Sequence, residues 1–326
     1  MSSPLAVDLG TAHTRISRRE HALIQRFPSA VAINTRTGEP LAIGKDALPM
    51  LGRTPAGVRA CRPLQYSAVA DYDLTVLMLR AFFKQAQALS FFQRPTVVVG
   101  APAGLTEVES RALEDAVRDA GARAVRLIPT PVAAALGAGL DVSGSHGSMI
   151  VDVGAGTAKA AVLCYDGVVS CRNARVAGDE LDRAIVNHLR AAYGVAVGEQ
   201  TAAAIKCRIG VAHPSLHRGS LSVSGRDVQN GLATTVEISS ADVCEALRAP
   251  ISRIVRLIRA TLEAAPPELS ADVLTTGLVL SGESVRLPGL AKVIANGTGL
   301  RVTTAKECGD CVIRGLQAAA NRTRSI

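Results

Sequence analysis

Aromatic residues are scarce in this chain of 326 residues: five Phe, four Tyr and no Trp, 3% in all. Base stacking on aromatic side chains is therefore not a workable basis for function, and Ala, Val, Leu and Ile must fill the core. Lysine is also rare, with six among 36 basic residues, and the arginines are scattered without a dense run. The formal charge of +8 is not gathered into one patch, so no nucleic-acid partner is expected. The seven cysteines are odd in number and show no repeated ligand spacing, which argues against a disulfide framework. Cys308-Gly-Asp-Cys311 is a lone pair with no second pair to complete a metal site. No apolar run reaches the roughly 18 residues of a spanning helix, and the first residues lack the basic start of a signal peptide. A cytoplasmic location is expected.

With 48% apolar and 20% charged residues, the composition is that of a globular protein, and the length suits two domains. Short apolar runs alternate with helical periods, the pattern of an α/β protein. The strand runs include 5–9, 96–100, 148–153, 159–164 and 278–281. Helical periods cover 74–88, 106–120, 178–193, 240–264 and 289–297. Thr106-Glu-Val-Glu109 is a capping box that marks the start of one helix. No low-complexity segment or long linker separates the halves.

An internal echo carries the most information. One apolar run leads into Asp8-Leu-Gly10-Thr11, and a second leads into Asp152-Val-Gly154-Ala-Gly156-Thr157. Glycine lets backbone amides approach an anion without a Cβ in the way, and the threonine hydroxyl adds a donor. Both turns therefore suit phosphate. Asp8 and Asp152 would repel phosphate, so their expected role is to hold Mg²⁺ through water. A third turn, Ser281-Gly282-Glu283-Ser284, again follows an apolar run and is where a nucleoside is expected.

With three such sites in this order, the chain resembles the actin-like ATPase superfamily, and most closely the MreB family of bacterial actins. The matching stretches include Asp8-Leu-Gly-Thr-Ala-His-Thr14, Met50-Leu-Gly-Arg-Thr-Pro55, Pro131-Val-Ala-Ala-Ala135, Asp152 to Thr157, Ala177-Gly-Asp179, Ile205-Lys206, Pro266-Pro-Glu-Leu269 and Cys311-Val-Ile-Arg-Gly315. The resemblance implies an actin-like α/β fold of two related domains, mixed sheets flanked by helices, closing over ATP and Mg²⁺. The expected boundaries are 1–141, with a small subdomain near 32–75, and 142–326, with one near 182–240. It also assigns His13 and Ala155 to the phosphate turns, and Glu199, Ala203, Lys206, Gly282, Glu283 and Ser284 to the nucleoside. The implied role is a filament, of this chain or with a paralogue, on the inner membrane face, guiding cell-wall synthesis and cell shape.

The nucleotide motifs also depart from the family pattern. Lys159 stands where the family has a glutamate taken to polarise the attacking water, and an ammonium accepts no proton. Pro129-Thr130-Pro131 replaces Glu-Glu-Pro, Ala203 replaces a ribose-holding Glu, and Glu283-Ser284 replaces two glycines of the third turn. Nucleotide binding with impaired hydrolysis is expected; the alternative is a non-polymerising regulator of a partner filament. A phosphotransferase is disfavoured, since no acidic sugar-site base follows from the motifs. Leu89, Phe91 and Phe92, in a Ser/Gln/Arg loop, are the expected membrane contact.

Overall fold

The Val- and Ile-rich runs form the centres of two separate sheets in a computed structural model, which describes residues 4–18, 21–66, 68–86 and 94–322. The chain divides into two compact units. The first comprises Met1–Gly144, Tyr165–Val168 and Gly309–Ile326, the second Ser145–Cys164 and Val169–Cys308.

In the first unit β1 (Leu5–Leu9), β2 (His13–Arg18), β3 (His21–Pro28), β4 (Thr96–Ala101) and β5 (Ala124–Pro129) form one five-stranded sheet, ordered β5-β4-β1-β2-β3. β1 pairs antiparallel with β2 and parallel with β4, which pairs parallel with β5. Central strands covered on both faces need apolar residues at nearly every position, as Leu5-Ala-Val7 and Val97-Val-Val99 provide. One face packs against α1 (Tyr72–Gln85) and α2 (Glu107–Asp119), where Met78, Leu79, Phe82, Phe83, Leu113 and Val117 meet Val7 and Val99. The capping box at α2 is formed: Glu109 Oε2 accepts from the Thr106 amide at 2.9 Å, and Thr106 Oγ1 accepts from the Glu109 amide at 3.2 Å. A separate three-stranded sheet of Val31–Asn34, Pro40–Ile43 and Val58–Cys61 lies in the same unit. After β5 the chain continues directly into α3 (Thr130–Gly137).

The second unit repeats the plan. β6 (Ser148–Val153), β7 (Ala158–Cys164), β8 (Gly167–Ala174), β9 (Leu278–Ser281) and β10 (Val302–Thr304) are ordered β8-β7-β6-β9-β10, the first sheet's order strand for strand. β6 is antiparallel to β7 and parallel to β9. Val151, Val153, Ala160 and Val162 pack against Leu181 and Ile185 of α4 (Gly178–Tyr193), Ala202 and Ile205 of α5 (Glu199–Ile209), and Ile251, Ile254 and Ile258 of α6 (Ser240–Glu263). A small sheet of Val195–Ala196, Ser220–Asp227 and Ala233–Ser239 completes the strands described in this unit. α7 (Pro267–Thr276) and α8 (Leu290–Thr298) flank β9 in sequence.

The last helix, α9 (Cys311–Arg322), departs from the expected division. The sequence places it with 142–326, but it belongs to the first unit, against α3, β1 and β4. Two glycines allow the approach. A Cβ on Gly137 would fall 1.8 Å from the Cys311 carbonyl oxygen, and one on Gly315 would fall 1.7 Å from that of Ala133. The helix backbones of α3 and α9 are therefore in direct contact. Gly315→Ala is expected to lower stability by about 1–3 kcal/mol or more, read by urea unfolding, because overpacking cannot be relieved by a rotamer change. Gly144→Ala, at a glycine with nothing within 4 Å of its missing Cβ, should stay within about 0.5 kcal/mol of the parent.

Candidate functional site

Each unit presents one hairpin turn with the expected phosphate residues. In the first, β1 ends at Leu9, and Gly10, Thr11 and Ala12 carry the chain into β2. The Gly10 amide donates to the His13 carbonyl at 3.2 Å, and a Cβ on Gly10 would lie 2.6 Å from that oxygen, so a side chain there has no space. Ser29 holds the turn from behind: its hydroxyl donates to the Gly10 carbonyl at 2.8 Å, and its amide to the Ala12 carbonyl at 2.9 Å. Two carbonyls of the turn are thus committed to the protein and do not face an approaching anion. Thr11 is buried and His13 is exposed.

Asp8 lies one residue before the end of β1, directly across the ladder from Arg15. Arg15 Nη1 is 3.5 Å from Asp8 Oδ2, and its Nε donates to Asp310 Oδ1 at 3.2 Å. Arg26 also pairs with Asp310. Two carboxylates and two guanidinium groups therefore balance each other at the base of the first turn. Arg15 is 8% exposed; burial on that scale is tolerable for an arginine only with such partners.

The second turn, Gly154 to Thr157, joins β6 to β7 and closes with the Gly154 amide donating to the Thr157 carbonyl at 3.0 Å. α4 abuts it end-on. The Gly178 amide donates to the Gly154 carbonyl at 3.1 Å, and the Asp179 amide to the Ala155 carbonyl at 2.8 Å. These bonds satisfy first-turn amides of a helix that has no side-chain cap. Ser284 adds a third clasp, donating to the Gly154 carbonyl at 2.7 Å. A Cβ on Gly178 would meet Ser284 Oγ at 2.8 Å, so the serine occupies the space the glycine leaves.

Asp152 mirrors Asp8. It stands directly across the β6–β7 ladder from Lys159, and accepts a hydrogen bond from the buried Ser281 hydroxyl at 2.9 Å. Lys159 is 6% exposed and is the second residue of β7, not a member of the turn. Its charge also reaches Cys171, whose thiol is pushed up by burial and partly drawn back by the neighbouring ammonium.

The third turn differs from what its side chains suggest. Gly282 takes φ +92°, and a Cβ there would fall 2.2 Å from the Val153 carbonyl oxygen, so the backbone itself requires glycine. Glu283 is exposed and pairs with Arg286 Nε at 2.8 Å, so its charge is compensated locally. The Ser284 hydroxyl donates to the second turn, as described above. Glu199, Ala203 and Lys206 all lie on α5. Lys206 Nζ is 2.7 Å from Asp182 Oδ1 and donates to the Gly178 carbonyl at 2.9 Å, which ties α5 to the start of α4. Glu199 is largely exposed, 3.6 Å from Arg183 Nε.

The structure thus gathers Asp152, Gly154, Ala155, Gly156, Thr157, Lys159, Lys206, Gly282 and Ser284 around one end of the second sheet, and Asp8, Gly10, Thr11 and His13 at the matching end of the first. Leu89, Phe91 and Phe92 lie outside the described residues. Sequence reasoning missed Arg15, Ser29, Asp182 and Asp310, and named Ser281 only as part of the third turn. One signal was available for Arg15: Asp8 and Arg15 have the same separation as Asp152 and Lys159. Among the described residues no group of three or more His, Cys, Asp or Glu is placed to hold a metal, and no helix is long and apolar enough to cross a membrane.

Residues 2–326 match the family model described as MreB/Mbl protein. The chain is 41% identical over 319 residues to the cell shape-determining protein MreB of Escherichia coli K12, covering 96% of this chain and 92% of that one. It is 34% identical over 311 residues to the cell shape-determining protein Mbl of Bacillus subtilis 168, with 95% and 93% covered. Among solved structures, MreB5 of Spiroplasma citri bound to AMPPNP superposes with a TM-score of 0.94 at 29% identity, over 99% of this chain and 97% of that one. A double helical filament of MamK superposes at 0.81 with 22% identity, over 98% and 99%, a likeness of fold. Matched from end to end in sequence and in the doubled sheet order, the chain has an actin-like fold and belongs to the MreB/Mbl family.

Proposed function

We propose that this chain is a nucleotide-binding cytoskeletal protein that forms or joins filaments and contributes to cell shape and cell-wall synthesis. The observation that carries the reading is Gly154. A Cβ there would have only the Thr157 carbonyl, at 3.6 Å, as a neighbour, so the fold does not require glycine at this position. A requirement for close approach by an outside group accounts for it, and a phosphate beside a turn whose carbonyls point into the protein meets that description. MreB5 of Spiroplasma citri has been solved with AMPPNP and with ADP, which supports an adenine nucleotide as the ligand. Gly10, Thr11 and His13 in one turn and Gly154, Ala155, Gly156 and Thr157 in the other are the proposed phosphate contacts. Glu199, Ala203, Lys206 and the turn Gly282 to Ser284 are the proposed surroundings of the nucleoside.

In this reading ATP is held but hydrolysed slowly. The residues at the start of α3 are Pro129, Thr130 and Pro131, and Lys159 lies on β7; none supplies a carboxylate to orient or deprotonate water. General-base assistance contributes about 10²- to 10⁴-fold to such reactions. The names of the Escherichia coli and Bacillus subtilis relatives support the role in cell shape. The proposed location is the inner face of the cell membrane, reached through Leu89, Phe91 and Phe92, with cell-wall synthesis proteins as neighbours and a second copy or a paralogue as the filament partner.

Three outcomes test this. Gly154→Ala should keep the parent's unfolding profile and lose about tenfold in ATP affinity by calorimetry, as a methyl now separates backbone and phosphate; unchanged affinity would contradict the assignment. Phosphate release should run at least about 100-fold slower than that of the Escherichia coli relative assayed alongside; equal rates would contradict slow hydrolysis. With ATP the purified protein should sediment as polymer, whereas a protein that stays in the supernatant and pellets only with a paralogue's filament would be a regulator.

A further inference from the structure

Another set of polar side chains converges within the second unit, on the loop that leads from α5 to the small sheet. Ser215 is exposed, and its hydroxyl lies 2.7 Å from His213 Nδ1. The Ser215 amide donates to the same nitrogen at 3.1 Å, so Nδ1 is an acceptor and carries no proton. The hydroxyl therefore points its proton at the imidazole. From another element the exposed Lys292, in the first turn of α8, donates to the hydroxyl oxygen at 3.5 Å. The loop is fastened at both ends: the Ala212 amide donates to the Pro288 carbonyl at 2.8 Å, and the Arg218 amide to the Ser240 hydroxyl at 3.1 Å. Ser215 is thus presented to solvent from an anchored loop.

The turn has no need of the lysine. The Leu216 amide on the His213 carbonyl, at 3.0 Å, and the Ser215 amide on Nδ1 already close it. Lys292 comes from 77 positions away, and among the described residues no ion pair holds it, His213, His217 or Arg218. No acidic residue occurs between Glu199 and Asp227, a stretch that contains Arg208, His213, His217 and Arg218. Arg218 spends its guanidinium on the Cys207 carbonyl at the end of α5, not on a carboxylate. Positive charge without a counter-charge therefore surrounds one exposed hydroxyl. A phosphoryl group on that oxygen would bring about two negative charges and three acceptor oxygens to cations already in place.

We propose that Ser215 is a phosphorylation site, with ATP on a serine/threonine kinase as donor, and that Lys292 and His213 hold the phosphate it receives. The hydroxyl oxygen bonds to the γ-phosphorus, the bond from that phosphorus to the β,γ-bridging oxygen breaks, ADP leaves, and the hydroxyl proton passes to the kinase's base. The modified side chain can then only accept. A switch of the neutral imidazole to its Nδ1–H tautomer makes His213 a donor and releases the Ser215 amide to donate to a phosphate oxygen as well. Lys292 donates to another, which ties the loop to the start of α8. Every group involved belongs to the second unit, and nothing here depends on the nucleotide reading.

Two measurements test this. The full chain, isolated from the cells that make it with phosphatases inhibited, is digested and mapped by mass spectrometry. Phosphate on Ser215 is expected; recovery of that peptide only in unmodified form overturns the modification. The receptor is tested in the full chain made with phosphoserine at position 215, by following its phosphorus resonance against pH. In the folded chain the second ionisation should fall at least about 0.5 pH units below that of the same chain unfolded in urea, because a nearby ammonium favours the dianion. Lys292→Gln, at an exposed position, should remove about half of that shift or more. Equal titration of the folded and unfolded chains overturns the roles of Lys292 and His213. A shift that Lys292→Gln leaves untouched overturns the role of Lys292.

Discussion

The antiparallel ladder at the head of each unit is the constraint on which the rest depends. Pairing β1 with β2, and β6 with β7, turns the chain back through a few residues at one end of the sheet. Register then decides which side chains meet. With a period of two along each strand, a slip of one residue would move Asp8 or Asp152 to the opposite face and separate each from its basic partner. The apolar alternation of Met149, Val151 and Val153 against the helices holds the register of the second hairpin. Hydrophobic packing on one face thus fixes electrostatics on the other.

The turns gain their shape from elements distant in sequence. The second is clasped by the start of α4 and by Ser284, and α4 is itself tied to α5 through Lys206, Asp182 and the Gly178 carbonyl. Apart from the Lys206–Asp182 pair, each of these bonds uses up a backbone carbonyl. In the first unit, Ser29 fulfils the same purpose behind Gly10 and Ala12, and Asp310 at the entry to α9 fixes Arg15. The close packing of α3 on α9 joins the C-terminal residues to the first sheet, so the Arg15 partner comes from the far end of the chain.

Much of this was legible in the sequence where the signal is local. The strands β1, β6 and β9 are carried by the apolar runs Leu5-Ala-Val7, Met149-Ile-Val151 and Leu278-Val-Leu280, the start of α2 is written as Thr106 and Glu109, and the two glycine-threonine turns follow strands as expected. What escaped is non-local or looks like surface. β2 reads His-Thr-Arg-Ile-Ser-Arg, and apart from the spacing of Arg15 from Asp8 little nearby reveals that Arg15 is buried, because its second partner, Asp310, lies 295 positions away. Ser284 reads as an intruder in a glycine turn until the Gly154 carbonyl, 130 positions away, is seen to accept its hydrogen bond. The hairpin of Ser220–Asp227 and Ala233–Ser239 is largely exposed, so its alternation is faint. α9 was placed with the wrong half because its apolar face, with Val312, Ile313 and Leu316 buried, does not say which sheet it covers; Gly137 and Gly315 set the partner, and they lie far apart in sequence.

The central claim is that each of the two glycine turns is a phosphate-binding turn. Amide hydrogen exchange measured with and without ATP tests it most directly. Slower exchange in both segments 9–13 and 153–158, with the exposed hairpin 220–239 unchanged, is the predicted result. Slower exchange in neither turn, or in only one of them, would contradict the account.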